Sequence, residues 1–377
     1  MVDANGDGSL LTAAVHSVNE FAFDLHRELV ERQGGNVVSS PYSVATTLGM
    51  LYGGSAGATA AEFADVLHIS DEVGQDWHEG RNLLDLLLID RTLGTDTSWS
   101  SANKVWFRPD VVVQPTFLDL LIEQYGSPAV AQTFDDEGTR LINEWVEERT
   151  AGRVEELFVP DDFGPETLMV LVNAVALDAP WEFRLSPGAA RPFEGLDGVE
   201  RQVPTLRFDH FLPSAATEDF VAVELPYAGG ALSMIVVMPT DLPSFEASLD
   251  AVRFGEVLDS IRPGGIHLEM PRWQATTDVV LNEHLRALGV ESAFGDADFS
   301  PIFGTSSGIW LDFVVHEATI EVSETGTQAA AATGAVLIES HGPTVQINRP
   351  FLYAVVDRGP GTILFLGRVA DPTELVG

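Results

Sequence analysis

The sequence predicts an α+β protein, and three observations carry that class. Segments with strand character and segments with helical periodicity are grouped along the chain rather than alternating strand by helix. The chain has 377 residues, 45% of them hydrophobic, with mean hydropathy +0.11, enough to bury a large core and too apolar for a disordered chain. No internal repeat is visible, which sets solenoids and propellers aside.

Residues 1–14 are polar and are expected to be disordered. Asp3, Asn5, Asp7 and Gly8 fit the opening of a calcium loop, but the twelfth position, which needs a bidentate Glu, is Ala14. No metal site is proposed there or elsewhere, because the nine histidines are scattered without ligand spacing. Val15 to Val30 carries apolar residues at helical spacing and ends at Gly34-Gly35. Val37 to Ser40 reads as a short buried strand leading into a helix with Pro41 in its first turn, apolar nearly all round and therefore buried. Further helices are expected over Ala58–Leu67, around Leu83–Ile89, and over Pro115–Tyr125. Thr139–Arg149 is amphipathic, with Leu141, Ile142, Trp145 and Val146 on one face.

Strands are expected at Ser98–Phe107 and at Thr167–Ala176, the second a continuous apolar run as in a strand covered on both faces. Beyond Arg191 the pattern is mostly strand: near Phe193, then Val203–Phe208, Val221–Leu225, Leu232–Met238 and Ile266–Trp273. Pro243–Ile261 reads as a peripheral helix, and Val279–Leu288 as a helix closed by Gly289. Leu311–Val322 reads as a long strand.

The formal net charge is −37, from 57 acidic and 20 basic residues, and Lys104 is the one lysine. The acidic excess is spread along the chain, as for a surface tuned to high salt, so a halophilic source is expected. No basic stripe exists to hold nucleic acid. Without cysteine, disulfides and thiol catalysis are excluded. No apolar run reaches the roughly 18 residues of a membrane span. The first residues lack a basic region followed by an apolar core, so either the protein stays in the cytoplasm or a leader preceded Met1.

The signals for catalysis are weak. Gly304-Thr305-Ser306-Ser307-Gly308 matches G-x-S-x-G, but a strand-like run follows where a nucleophile elbow needs a helix. His316-Glu317 lacks the second histidine of a zinc helix, and no Gly-rich phosphate loop is present. The chain is not read as an enzyme, and no cofactor is implied.

The informative stretch is Glu324 to Pro350. Gly326-Thr327-Gln328 leads into Ala329, Ala330, Ala331 and Ala332, then Thr333 and Gly334. By composition alone this is a flexible linker or a weak helix without an amphipathic stripe. As a strand, one face would carry Thr327, Ala329, Ala331 and Thr333, all small enough to slide between two existing strands.

ETGTQAAAATG resembles the hinge of a serpin reactive-centre loop, and VVHEATIEVSE the strand that feeds it. NRPFLYAVVDRGPGTILFLGRVADP is similar to the serpin C-terminal signature. Four further blocks agree in family order: NVVSSPYSVATTLGMLYGGSAGATAAEFADVL, LVNAVALDAPWEFRL, VAVELPYAGGALSMIVVMP and IHLEMPRWQATTDVVLNEHLRALGVESAF. The resemblance covers nearly the whole chain. It implies one domain over 15–377, with a large central mixed β-sheet, two further sheets, about eight to nine helices and an exposed reactive-centre loop at about 324–347. It also implies that the helix at Thr139–Arg149 lies across the front of the main sheet.

It further implies a suicide inhibitor of a serine protease, secreted and monomeric, that forms a covalent complex after loop cleavage and insertion of Gly326–Ile338 as a new strand. Non-inhibitory members with a binding or storage role are the alternative. His316 matches the buried histidine of the family's shutter, Asn173 its asparagine partner, Ser40 and Ser43 the nearby serines, and Trp181 the tryptophan of the breach. Glu324 matches the acidic residue before the hinge, whereas Thr325 and the pair Asp178-Ala179 depart from the usual pattern. Loop length puts the reactive bond at Ser340-His341. The loop is one residue shorter than the commonest form, which leaves Glu339-Ser340 open. Ser at the primary position suits a subtilisin-like or elastase-like protease.

Overall fold

A computed structural model describes residues 6–149, 152, 154, 156–208, 212–264, 266–306, 308–327 and 343–373. Helix α1 runs Gly6–Gln33, so the expectation of disorder to Ala14 is corrected from Gly6 onward. The reason is packing: Ala14 is fully buried and Leu11 sits against the main core, one turn ahead of the helical pattern read from Val15. Then follow β1 (Val37–Ser39), α2 (Pro41–Gly53), α3 (Gly57–Val66), α4 (Trp77–Thr92), β2 (Ser98–Phe107), α5 (Pro115–Tyr125), β3 (Ala129–Ala131), α6 (Asp136–Arg149) and β4 (Met169–Pro180). The second half holds β5 (Ser186–Pro187), β6 (Arg191–Glu194), β7 (Glu200–Val203), β8 (Thr205–Phe208), β9 (Ser214–Ala216), β10 (Phe220–Pro226), β11 (Leu232–Pro239), α7 (Leu242–Ala247) and α8 (Ala251–Ser260). The chain continues through β12 (His267–Pro271), β13 (Trp273–Val280), α9 (Asn282–Leu288), α10 (Ser300–Phe303), β14 (Val315–Val322), β15 (Gly326–Thr327), β16 (Thr344–Gln346), β17 (Phe351–Asp357) and β18 (Ile363–Val369).

Some boundaries differ from expectation. The peripheral helix at Pro243–Ile261 is two helices, the second started by the Asp250 side chain accepting from the Arg253 N–H. Val279 and Val280 belong to β13, because their pairing with His316 and Val315 outweighs the helical spacing. Gly289 does close α9, at φ 117°. The strand read from Leu311 begins only at Val315.

The main sheet has the order β13-β14-β15-β4-β2-β3, antiparallel except for the parallel pair β2–β3. The second sheet has the order β1-β18-β17-β11-β10-β9. Its central strands β11, β17 and β18 are buried at every position, because the main core covers one face and α7 and α8 the other. A third sheet has the order β16-β12-β8-β5, and β6 and β7 form a separate ladder. Among the described residues there are ten α-helices. Helix α6 packs on β4, with Ile142 and Val146 buried against Trp106, Val170 and Val172.

Both ends of the stretch expected as exposed loop lie in sheets. Gly326 and Thr327 are buried in the main sheet, and Thr344–Gln346 pairs with His267–Glu269 of β12.

Candidate functional site

Strands β4 and β14 share no direct pair among the described residues. They are joined through the two residues of β15: Thr327 opposes Val322 of β14, while Gly326 and Thr327 oppose Pro180 and Ala179 of β4. Gly326 is required there. A Cβ on it would lie 2.3 Å from the Ala179 carbonyl oxygen and 2.6 Å from Pro180 Cα. Beside this junction, β4 and β14 line a cavity of about 190 Å³. Its walls include Val170 and Val172 from β4, Glu317 and Thr319 from β14, and Val146 of α6.

At the top of the junction, Trp181 and Tyr227 hold β15. Trp181 is buried and its indole N–H donates to the Ser323 carbonyl at 3.0 Å. Its backbone N–H donates to the Thr325 carbonyl at 3.0 Å, and the Leu185 N–H to the Glu324 carbonyl at 3.0 Å. The Tyr227 ring stacks on Trp181, and its hydroxyl shares a hydrogen bond with that of Thr327. Burial pushes the Tyr227 pKa up, so the phenol stays protonated. The Glu324 carboxylate stands 3.9 Å from Arg272, which also holds Glu321 at 3.1 Å.

Deeper in the sheet, His316 of β14 is buried next to the start of α2. The Ser40 N–H donates to His316 Nε2 at 3.1 Å, which leaves the ring proton on Nδ1. Burial lowers the His316 pKa to about 4, so the ring is neutral. Ser40 also caps α2. Its hydroxyl accepts from the Ser43 N–H at 3.3 Å and donates to the Leu364 carbonyl at 2.9 Å. Ser40, Ser43 and His316 all line the cavity. Asn173 takes its register position in β4 opposite Asn103, and its side chain lies outside the described part.

Trp181, Glu324, Gly326 and Thr327 are thus brought together at one end of the β4–β14 junction, and Ser40, Ser43 and His316 along it. Ala329, Ala330, Ala331, Ala332 and Thr333, expected as the hinge, and Glu339, Ser340 and His341, expected at the reactive bond, lie outside the described residues. Tyr227 and Ser323 were missed by reading the sequence. Nothing in their spacing ties them to Trp181 or Thr327, although a tyrosine at the end of an apolar strand run is the kind of residue that buries its ring and needs a partner for its hydroxyl. Ser306 is exposed and lies after α10, with no strand directly before it to make an elbow. Among the described residues no cluster of His, Asp and Glu could hold a metal ion, and no helix is long and apolar enough to cross a membrane.

Among the described residues, β4 and β14 of the main sheet are thus joined through Gly326 and Thr327, beside a cavity lined by His316, Ser40 and Ser43. A family model for serpins (serine protease inhibitors) matches residues 16–372. The chain belongs to the serpin family. An uncharacterized serpin-like protein of Thermococcus kodakarensis is 32% identical over 96% of this chain and 86% of its own length. Serpin A3-6 of Bos taurus is 32% identical over 95% of this chain and 88% of its own. The structure of native protease nexin-1 with heparin superposes with a TM-score of 0.83 at 26% identity, covering 96% of this chain and all of that one. Members of the family are mostly protease inhibitors rather than catalysts, and some are non-inhibitory.

Proposed function

We propose that this protein inhibits a serine protease as a suicide substrate. The observation that carries the reading is the junction at β15: the first two hinge residues sit between β4 and β14, the two strands have no other pairing with each other among the described residues, and a cavity lies beside them. The family membership supports it, and so does the hinge composition, which has no charge or proline from Gly326 to Thr333 to oppose burial as a strand.

In this reading the protease serine oxygen attacks the carbonyl carbon of Ser340. The peptide bond to the nitrogen of His341 breaks, that amine leaves, and an ester joins Ser340 to the enzyme. The freed Gly326–Ile338 then inserts as a strand continuing β15, and the released strain carries the tethered protease with it. The alternative bond is Glu339-Ser340. Ser340 suits a subtilisin-like or elastase-like protease. The acidic composition supports a halophilic setting, and the family resemblance supports action outside the cell, with the cytoplasm as the alternative.

The test is denaturing electrophoresis after mixing with subtilisin-like and elastase-like proteases at high salt. A covalent band near the summed mass, with a released C-terminal peptide starting at His341, is the expected result. Complete loop cleavage with full protease activity would move the protein to the non-inhibitory members of its family.

A further inference from the structure

Of the 20 basic residues, 19 are arginine, and the single lysine, Lys104, stands in β2 on the side of the main sheet that faces α6. Its neighbours on that side are Trp106 in β2, and Val172 and Val170, which face Lys104 and Trp106 from β4. The Lys104 ammonium lies 5.0 Å from the centre of the Trp106 ring and 5.6 Å from that of Trp145, which belongs to α6. The two indoles meet edge to face, with centroids 5.4 Å apart at 84°. One ammonium therefore touches an aromatic face on the sheet and another on the helix that covers it. A compact ammonium suits the angle between two crossed rings, whereas a planar guanidinium stacks flat on one of them.

Helix α6 and residues Leu157 and Phe158 form one lid. The Asn143 amide donates to the Phe158 carbonyl at 2.7 Å and accepts from the Leu157 and Phe158 N–H groups at 3.1 and 3.0 Å. Val146, Leu157 and Phe158 of this lid line the cavity between β4 and β14. The lid therefore covers one side of that cavity. Its apolar contacts to the sheet belong to a small cluster separate from the main core.

We propose that Lys104 is a latch: its ammonium, held between Trp106 and Trp145, pins α6 to β2 and sets how readily the lid lifts from the β4–β14 junction. The importance of the latch for inhibition rests on the function proposed above, but the opening itself can be read without any protease. Hydrogen exchange of the intact native protein, followed by mass spectrometry, compares wild type with Lys104→Met, which keeps the stem and removes the charge, and with Lys104→Arg, which keeps a cation over an indole.

The expected result is exchange roughly 5- to 30-fold faster in α6 and at Leu157–Phe158 for Lys104→Met. Exchange in β17 and β18 should be unchanged, Lys104→Arg, whose guanidinium stacks on one indole alone, should lie between wild type and Lys104→Met, and tryptophan emission should be altered most in Lys104→Met. Equal exchange in all three proteins, or acceleration spread evenly over the molecule, overturns the latch. A negative gel result with proteases would remove the inhibitory reading and leave the exchange result standing.

Discussion

Trp181 lies flat on Tyr227, with ring centroids 4.6 Å apart and planes 8° from parallel. The stack aims the Tyr227 hydroxyl at Thr327, the second residue of the short strand that joins β4 to β14. A residue from the β10–β11 connection thus meets β15 within the main sheet.

Removing that hydroxyl leaves the Thr327 side chain buried without its partner. Tyr227→Phe is expected to cost about 1–3 kcal/mol and to lower the melting temperature by several degrees, with the ring stack kept. Amide exchange at Trp181 and Leu185, whose N–H groups bond the hinge carbonyls, should speed up. Unchanged exchange there would mean that the hydroxyl pair does not hold the hinge.

Gly326→Ala puts a methyl group against the Ala179 carbonyl, where the backbone of β4 leaves no room. The expected outcome is expulsion of β15 from the sheet at a cost of about 1–3 kcal/mol. Limited proteolysis near Glu324 would report it. A variant as protease-resistant as wild type, at the same melting temperature, would show that the junction relaxes around the methyl group.

Acid should loosen the sheet at His316. The ordinary imidazole pKa near 6.5 falls to about 4 on burial. The stabilisation from the neutral ring is complete above pH 6.5 and is lost as pH falls toward 4. A fall of that size corresponds to about 3 kcal/mol. Buried His78 is lowered to about 4 as well, so His316→Gln should remove only part of the loss. Denaturant titrations from pH 7 to 4 would show it as a shallower slope. An unaltered slope would assign the acid sensitivity elsewhere.

Glu317 faces Asp278 directly across β13 and β14. Burial first, and the Asp278 charge second, push its carboxyl above the usual range. Its pKa is raised in the fold, so the folded state is favoured below the ordinary carboxylate pKa and loses that advantage as pH rises through the raised value. Glu317→Gln should therefore raise the melting temperature at neutral pH and leave it little changed in acid. A lower melting temperature at pH 7 would show that the charge is compensated within the cavity.

The single-domain α+β class, β2, α5 and, with shifted ends, the strand read at Thr167–Ala176 and found at Met169–Pro180 were legible in the sequence, because period, caps and apolar runs are local properties; Trp181, Ser40 and His316 were singled out by the family resemblance. The hinge composition was legible too, since small side chains on alternate positions need no fold to be recognised. What the tertiary structure alone decided lies between segments far apart in the chain. Ala14 and Leu11 extend the first helix because a core is there to bury them. Val279 stays in a strand because β14 pairs with it. The hydroxyl of Tyr227 meets Thr327 across 100 residues of chain, and Lys104 meets Trp145 only once α6 lies over β2. Local spacing determines which residues can form an element. Which side chains then share a partner depends on how the chain closes, and long-range contact leaves no periodic trace in the sequence.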